Sequence, residues 1–284
     1  MSERRRVVVG YDDDSPNASA ALHWGVTEAA TRDALLRVVN CSAIRSEIDG
    51  SGANSRSPLT FERAVYATRE RWPSVPIEMV ATSVETSDTL LAEAIGANLL
   101  VVTTLDAGAV RRERLGPFPS RAARRSSCPV VVVQGTARRP IRRIVVGINT
   151  FNASATAIDW SIVEAELHGA ELVIAYVWEP DPRHTRSIRA DALDRADAQC
   201  FVDLAVRRCE KQTSVPVRGE VIRGSPALAL VTRGRSADLL VVGSRGRTGF
   251  TTLTYGSVAL FVAAHASCAV AVVHPRLRDS SLTA

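Results

Sequence analysis

Lysine is almost missing from this 284-residue chain: of its 35 basic residues, only Lys211 is a lysine and the rest are arginine. The net charge of +5 and the pI near 9.2 therefore read as a compositional bias toward arginine. Aromatic residues are also scarce, at 5%, and no basic helical stretch is interleaved with them. That combination argues against a direct DNA or RNA role. Cysteines number five, an odd count, and form no CxxC pair. This disfavours a disulfide framework and a zinc cage and points to free or buried thiols in a reducing compartment. Apolar runs stay far short of the ~18 residues that a membrane helix needs. The basic start, Met1 to Arg6, runs through the five residues Val7 to Tyr11 into Asp12-Asp13-Asp14, which is not the shape of a signal peptide. A cytoplasmic protein is the expectation.

What is present is a repeat. Arg6-Val7-Val8-Val9-Gly10-Tyr11-Asp12 matches Arg143-Ile144-Val145-Val146-Gly147-Ile148-Asn149. Asn17-Ala18-Ser19-Ala20 matches Asn152-Ala153-Ser154-Ala155, and Trp24 matches Trp160. Ser74-Val75-Pro76-Ile77 matches Ser214-Val215-Pro216-Val217, and Ala97 to Val102 matches Ala237 to Val242. Ser127-Cys128-Pro129-Val130 matches Ser267-Cys268-Ala269-Val270. The matches keep their order, so the chain is two tandem copies of one domain, 1–137 and 138–284, joined through a polar stretch at Gly135 to Pro140.

Each copy alternates strand and helix. Strands are expected at Arg5–Tyr11, Ala34–Asn40, Pro76–Thr82, Asn98–Thr103 and Pro129–Gln134, and again at Arg142–Ile148, Glu171–Val177, Pro216–Ile222, Asp238–Val242 and Ala269–His274. Most are continuous Val/Ile/Leu runs, as strands buried on both faces should be. Helical patterns fall at Asn17–Arg32, Leu59–Arg71, Thr86–Ile95 and Pro119–Ser126, then at Ser154–His168, Ser187–Gln212, Pro226–Arg233 and Ser257–Ala266. Strict alternation predicts an α/β fold, a parallel sheet with helices on both faces. The polar stretch Ser42 to Pro58 and the tail from Arg278 read as mobile.

One stretch carries the chemistry. Leu239-Leu240-Val241-Val242 runs into Gly243-Ser244-Arg245-Gly246, and nine residues later Gly256-Ser257 opens another apolar run. A helix start leaves backbone N–H groups unpaired and carries partial positive charge. Glycines let an anion approach the backbone closely. The stretch reads as a phosphate cradle. An ordinary turn between strand and helix would use the same glycines, and the stretch alone does not separate the two readings.

With these motifs in hand, the chain resembles a tandem universal stress protein over nearly its whole length. The resemblance rests on Val-Val-Gly-x-Asp/Asn followed by Trp, the Gly-x2-Gly-x9-Gly-Ser segment, and the final Cys-Pro-Val-Val-Val strand of copy one with its counterpart in copy two. It implies a five-stranded open sheet of order 3-2-1-4-5 in each copy. It also implies an ATP site in copy two, with or without Mg²⁺, formed by Gly243, Gly246, Gly256 and Ser257 around the phosphates. Asn149 and Val177 correspond to the positions that hold ribose and adenine. Asn149 departs from the family's aspartate: an amide still hydrogen-bonds a hydroxyl but supplies no charge. Copy one reads Thr103-x2-Asp106-x9-Gly116-Pro117 in the same place, with three of four key residues changed. Pro117 has no N–H to donate, and Asp106 sets a negative charge beside a polyanion. One nucleotide per chain, in copy two, is therefore expected. Arg111, Arg112 and Arg114 read as a solvated basic edge.

An enzyme is the rival class. Asp12-Asp13-Asp14-Ser15 superficially resembles aspartate-nucleophile phosphohydrolase motifs, but it lacks the threonine that follows in them, and the only lysine lies in a helical pattern. His23, His168, His184, His265 and His274 show no pairing with a serine or cysteine and read as surface or packing residues. Trp24 and Trp160 read as core. A stress sensor with at most weak ATP hydrolysis is the expectation, with a ligand-free interaction module of the same fold as the alternative. In the family the final strands pair, so the two copies are expected to form an intramolecular pseudo-dimer; a further homodimer is left open.

Overall fold

The computed structural model describes residues 5–11, 17–41, 59–80, 87–104, 115, 117–135, 140–149, 151–179, 188–244 and 257–275. Copy one runs β1 (Arg6–Tyr11), α1 (Ala18–Thr31), β2 (Leu35–Asn40), α2 (Leu59–Arg71), β3 (Ile77–Val80), α3 (Ser87–Glu93), β4 (Leu99–Thr103), α4 (Pro117–Arg125) and β5 (Val130–Val133). Copy two runs β6 (Arg143–Ile148), α5 (Phe151–His168), β7 (Glu171–Trp178), α6 (Ile188–Glu210), β8 (Val217–Arg223), α7 (Pro226–Gly234), β9 (Leu239–Gly243), α8 (Ser257–His265) and β10 (Ala269–Val273). The expected elements are all present. Two helices start earlier than the apolar pattern suggests, α4 at Pro117 and α5 at Phe151. The stretches 42–58 and 278–284, read as mobile, lie outside the described residues.

All ten strands form one sheet in the order β3-β2-β1-β4-β5-β10-β9-β6-β7-β8. Pairing within each copy is parallel and follows 3-2-1-4-5. The copies meet where β5 pairs antiparallel with β10, Val131 opposite Ala271. Side chains alternate across the sheet. Val7 and Val9 therefore enter one core layer, with α1 and α5, while Val8 enters the other, with α7 and α8. Both layers run through the seam, and the strand valines and leucines beside it are fully buried. Each contributes about 1.5–3 kcal/mol as an upper estimate.

The seam has approximate two-fold symmetry. Gln134 Nε2 donates to the carbonyl of Ala263 (2.6 Å), and His274 Nε2 donates to the carbonyl of Ala123 (2.9 Å). These are equivalent residues, each reaching from the end of its own last strand to the last helix of the other copy. Such reciprocity marks an isologous contact.

The repeat register needs one correction. Asn17-Ala18-Ser19-Ala20 and Asn152-Ala153-Ser154-Ala155 are offset by 135, but Trp24 and Trp160 by 136. A continuous helix cannot absorb that difference. Burial supports 136: Glu28 matches buried Glu164, Ala29 matches Ala165, and Ala34 matches Ala170. The turns agree, because Asp33 and Gly169 both have left-handed backbone, at φ 49° and 59°. The four-residue likeness is thus shifted by one, and the tryptophans are the true equivalents. Trp24 is buried and Trp160 is packed against the same layer, as core residues.

Candidate functional site

The sheet reverses its connection order at β6, whose neighbours are β7 on one side and β9 on the other. Open α/β sheets take ligands outside the carboxyl ends of strands at such a switch. The registers place the candidate residues there. Ile148 pairs with Tyr176, and Gly147 pairs with Val242. One residue past the Ile148–Tyr176 pair, and two past the Gly147–Val242 pair, the registers align Val177, Asn149 and Ser244 in one row at the ends of three adjacent strands.

The strand ends are open toward this row. β7 continues to Val177 and Trp178 beyond its last β6 partner, so it is paired there only with β8. Gly243 lies past the last β6–β9 pair and is bonded only toward β10, opposite Val273. Ser244 then donates its N–H to the Val273 carbonyl (2.9 Å). Ser257 opens α8, the helix that connects β9 to its parallel neighbour β10. Gly246 and Gly256 lie outside the described residues. Gly243, Ser257, Asn149 and Val177 are therefore placed, and the registers bring Asn149, Val177 and Gly243 together.

Asn149 is anchored by a residue that sequence reasoning missed. Its backbone N–H donates to Ser154 Oγ (3.1 Å), and the Ser154 hydroxyl donates to Asn149 Oδ1 (3.0 Å). Ser154 is buried on the first turns of α5. The reciprocal pair ties the β6 end to the following helix, in the manner of a cap. The Asn149 amide oxygen, at a position that the resemblance assigns to a ligand contact, is engaged within the chain. A serine at the start of a helical pattern, five residues after the strand's last polar residue, was the available signal.

Gly10 and Gly147, the glycines of the repeated strand motif, have a packing role. A Cβ on Gly147 would lie 2.8 Å from Leu230 Cδ1, and one on Gly10 would lie 2.7 Å from Leu90 Cδ2. A helix leucine sits directly on each glycine. These glycines hold α3 and α7 close to the sheet rather than making room for a ligand.

Copy one differs at the corresponding ends. β4 stops in Thr103, which is buried and paired with Val133. Its helix α4 opens with Pro117 where α8 opens with Ser257. Proline suits a first helical position. It also deletes one of the unpaired N–H groups that an anion would use. Asp12, Asp106, Gly116 and the arginines 111, 112 and 114 lie outside the described residues.

An open groove of about 600 Å³ lies on the outer flank of the crevice, between β8 and α7, with Ile222, Arg223, Gly224, Ser225 and Leu228 on its walls. It is one strand beyond Val177, whose register partner is Ile222. Arg233 spans its floor in a two-point pair with Glu220, 2.6 Å at each bond. All five cysteines are free thiols; four are buried and Cys200 is exposed. Burial pushes the Cys268 thiol up to about 12 and that of Cys209 up to about 11, so neither is a ready nucleophile. Among the described residues, no helix is long and apolar enough to cross a membrane.

Of the two readings of His168, surface or packing, the structure supports packing. It sits nine-tenths buried beside Glu28, Arg32 and Glu164, in a charged cluster formed by both copies.

The family model described as "Universal stress protein family" matches residues 3–134 and again 140–274. A universal stress protein of Mycobacterium tuberculosis is 31% identical over 287 residues, covering 91% of this chain and 94% of that protein. One from Mycolicibacterium smegmatis is 29% identical over 300 residues, covering 95% and 97%. A functionally unknown protein of Pseudomonas aeruginosa shares the fold with a TM-score of 0.69 at 17% identity, covering 96% of this chain and 93% of its own. A universal stress protein of Archaeoglobus fulgidus does so with a TM-score of 0.61 at 15% identity, covering 95% and 96%.

Proposed function

The chain belongs to the universal stress protein family, and from that premise we propose that it binds one ATP, with or without Mg²⁺, in copy two. The single observation that carries this reading is the end of β9. Gly243 leaves the sheet at the switch point, and the chain returns as Ser257 at the start of α8. Between them runs Gly-x2-Gly-x9-Gly-Ser, so the phosphates would lie over a side-chain-free strand end and a helix N-terminus. Adenine would lie against the exposed β7 backbone at Val177, which extends past β6. Asn149 would meet the ribose from the middle of the row.

Occupancy of this site, rather than turnover, is the output in this reading, and the protein acts as a cytoplasmic stress sensor. No residue around the row is set up as a base against a nucleophile among those described. The continuous sheet fits an interaction role in which the two copies act as one body.

Mass spectrometry of ligand released from untreated protein, followed by calorimetry with ATP, tests the proposal. Adenine nucleotide and about one site per chain are expected. Two equal sites would overturn the assignment to copy two, and no binding would favour the ligand-free interaction module.

A further inference from the structure

The sheet order gives the copy-two row a direction. It runs from Val177 on β7, through Asn149 after β6, to Gly243 on β9, and the next strands are β10 and then β5 of copy one. On the reading that ATP occupies this row, adenine, ribose and phosphates follow one another toward the seam. Whatever stands at the seam then meets the far end of the phosphate chain.

The two copies run in opposite directions there. The start of β5 stands beside the end of β10: Val130 is opposite Val272, and the next residue, Val273, is the partner of Gly243. His274 follows, and its Nε2 reaches the Ala123 carbonyl near the end of α4 (2.9 Å). Ala122 and Ala123 of α4 share a core layer with Ala259 and Val262 of α8, so both helices lie on one side of the sheet. The C-terminal end of α4 is thereby brought to the end of the sheet where β9 stops and α8 begins.

That end carries Arg124 and Arg125, both exposed. At about 100° per residue, Phe118, Arg121 and Arg125 share one flank of α4. Phe118 approaches Gly10 of β1 and Arg121 pairs with Asp88 of α3, so this flank faces the interior of copy one. Arg124 falls on the other flank, next to Ala123 and toward the seam. An arginine on any flank of the last turn complements the helix dipole, so its flank is what carries information.

The reciprocal helix end differs. Cys128 matches Cys268, which makes Arg124 equivalent to Ala264 and Arg125 to His265. This end of α8 is held by Gln134, at the strand ends of copy one. Ala264 has no charge to offer. His265 is folded onto its own helix, its ring stacked on Phe261 and its Nδ1 2.8 Å from the Phe261 carbonyl. An arginine thus stands toward the copy whose loop keeps its glycines, and an alanine toward the copy whose loop has lost them. We propose that Arg124 of copy one closes the phosphate end of the copy-two site from across the seam, pairing with the terminal phosphates of ATP. A guanidinium stays charged and its planar fork matches phosphate oxygens. The site is then built from both copies, and a charge at its far end selects a nucleoside triphosphate over a monophosphate. This inference rests on the nucleotide reading of copy two.

The test titrates the full chain with ATP and with AMP by calorimetry, comparing the wild type, Arg124→Ala and Arg124→Lys. Arg124→Ala installs the residue found in copy two. It is expected to weaken ATP binding about 10- to 100-fold and to leave AMP binding within about twofold, while Arg124→Lys recovers part of the loss. The gap between wild type and Arg124→Ala should narrow as salt is raised. Unchanged ATP affinity in Arg124→Ala, or equal losses for ATP and AMP, overturns the role of Arg124 and leaves the nucleotide site standing. A wild type that binds no ATP overturns the nucleotide reading itself and this inference with it. Should Arg124→Ala fail to fold, Arg124→Gln removes the charge while keeping most of the side chain, and the same outcomes decide.

Discussion

The two copies share a sheet order, a helix order and a leucine seated on a strand glycine, yet they finish their fourth strands differently. In copy two, β9 ends in Gly243 and α8 begins with Ser257. In copy one, β4 ends in buried Thr103 and α4 begins with Pro117. None of these changes disturbs the core. Thr103 still pairs with Val133, as Gly243 pairs with Val273. Proline is well placed at the first position of a helix. Copy one thus keeps the fold with different residues at the strand tip, because the fold depends on the apolar strand residues. The difference teaches where the family's fold ends and its site begins.

Gly243→Asp should abolish the contrast by making the tip of β9 acidic. Like charges about 4 Å apart at an effective dielectric near 20 cost roughly 4 kcal/mol. Calorimetry should show ATP affinity falling by about a thousandfold, with the thermal midpoint of the free protein little changed. An unaltered affinity would move the site elsewhere. Leu90→Ala and Leu230→Ala probe what the copies share. Each removes a buried leucine that covers a strand glycine, and each should cost about 2–5 kcal/mol in denaturant unfolding. A loss confined to one copy would show that the packing roles are not equivalent.

The reverse experiment sharpens the comparison. Thr103→Gly, Asp106→Gly and Pro117→Ser together restore the copy-two residues in copy one, and ATP stoichiometry should rise from one toward two per chain. If it stays at one, features beyond these three positions keep copy one silent. The smallest effect belongs to Ser154→Ala, which removes the hydroxyl bonded to Asn149. About 1 kcal/mol of stability should be lost, seen as a fall of about 3 °C in Tm, and ATP affinity should shift because Asn149 is no longer held.

Much of this was legible in the chain. Continuous runs such as Leu99-Leu100-Val101-Val102 announce strands buried on both faces, and the ordered repeat announces two domains. The spacing from Gly243 to Ser257 marked the strand end and helix start that the structure places at the switch point. The anchoring of Asn149 was not legible. Ser154 had been matched to Ser19 on a four-residue likeness, and only helix continuity and burial showed the shift by one. A short motif match carries no information about register when small residues recur as often as alanine and serine do here.

His168 marks the boundary between the two kinds of information. Its sequence neighbourhood, the end of a helical pattern, admits a surface histidine as readily as a buried one. The sequence by itself determined the element order, the tandem architecture and the glycine spacing between β9 and α8, because periodicity and turn residues act over a few residues. Tertiary structure alone decided that Glu28 and Arg32 meet Glu164 and His168, residues 132 or more positions apart for the Arg32–Glu164 bond. That meeting needs β5 and β10 to pair and the first helices of both copies to lie on the same side of the seam. Charge complementarity across such an axis is a property of the assembled surface, so no local pattern in either copy could carry it.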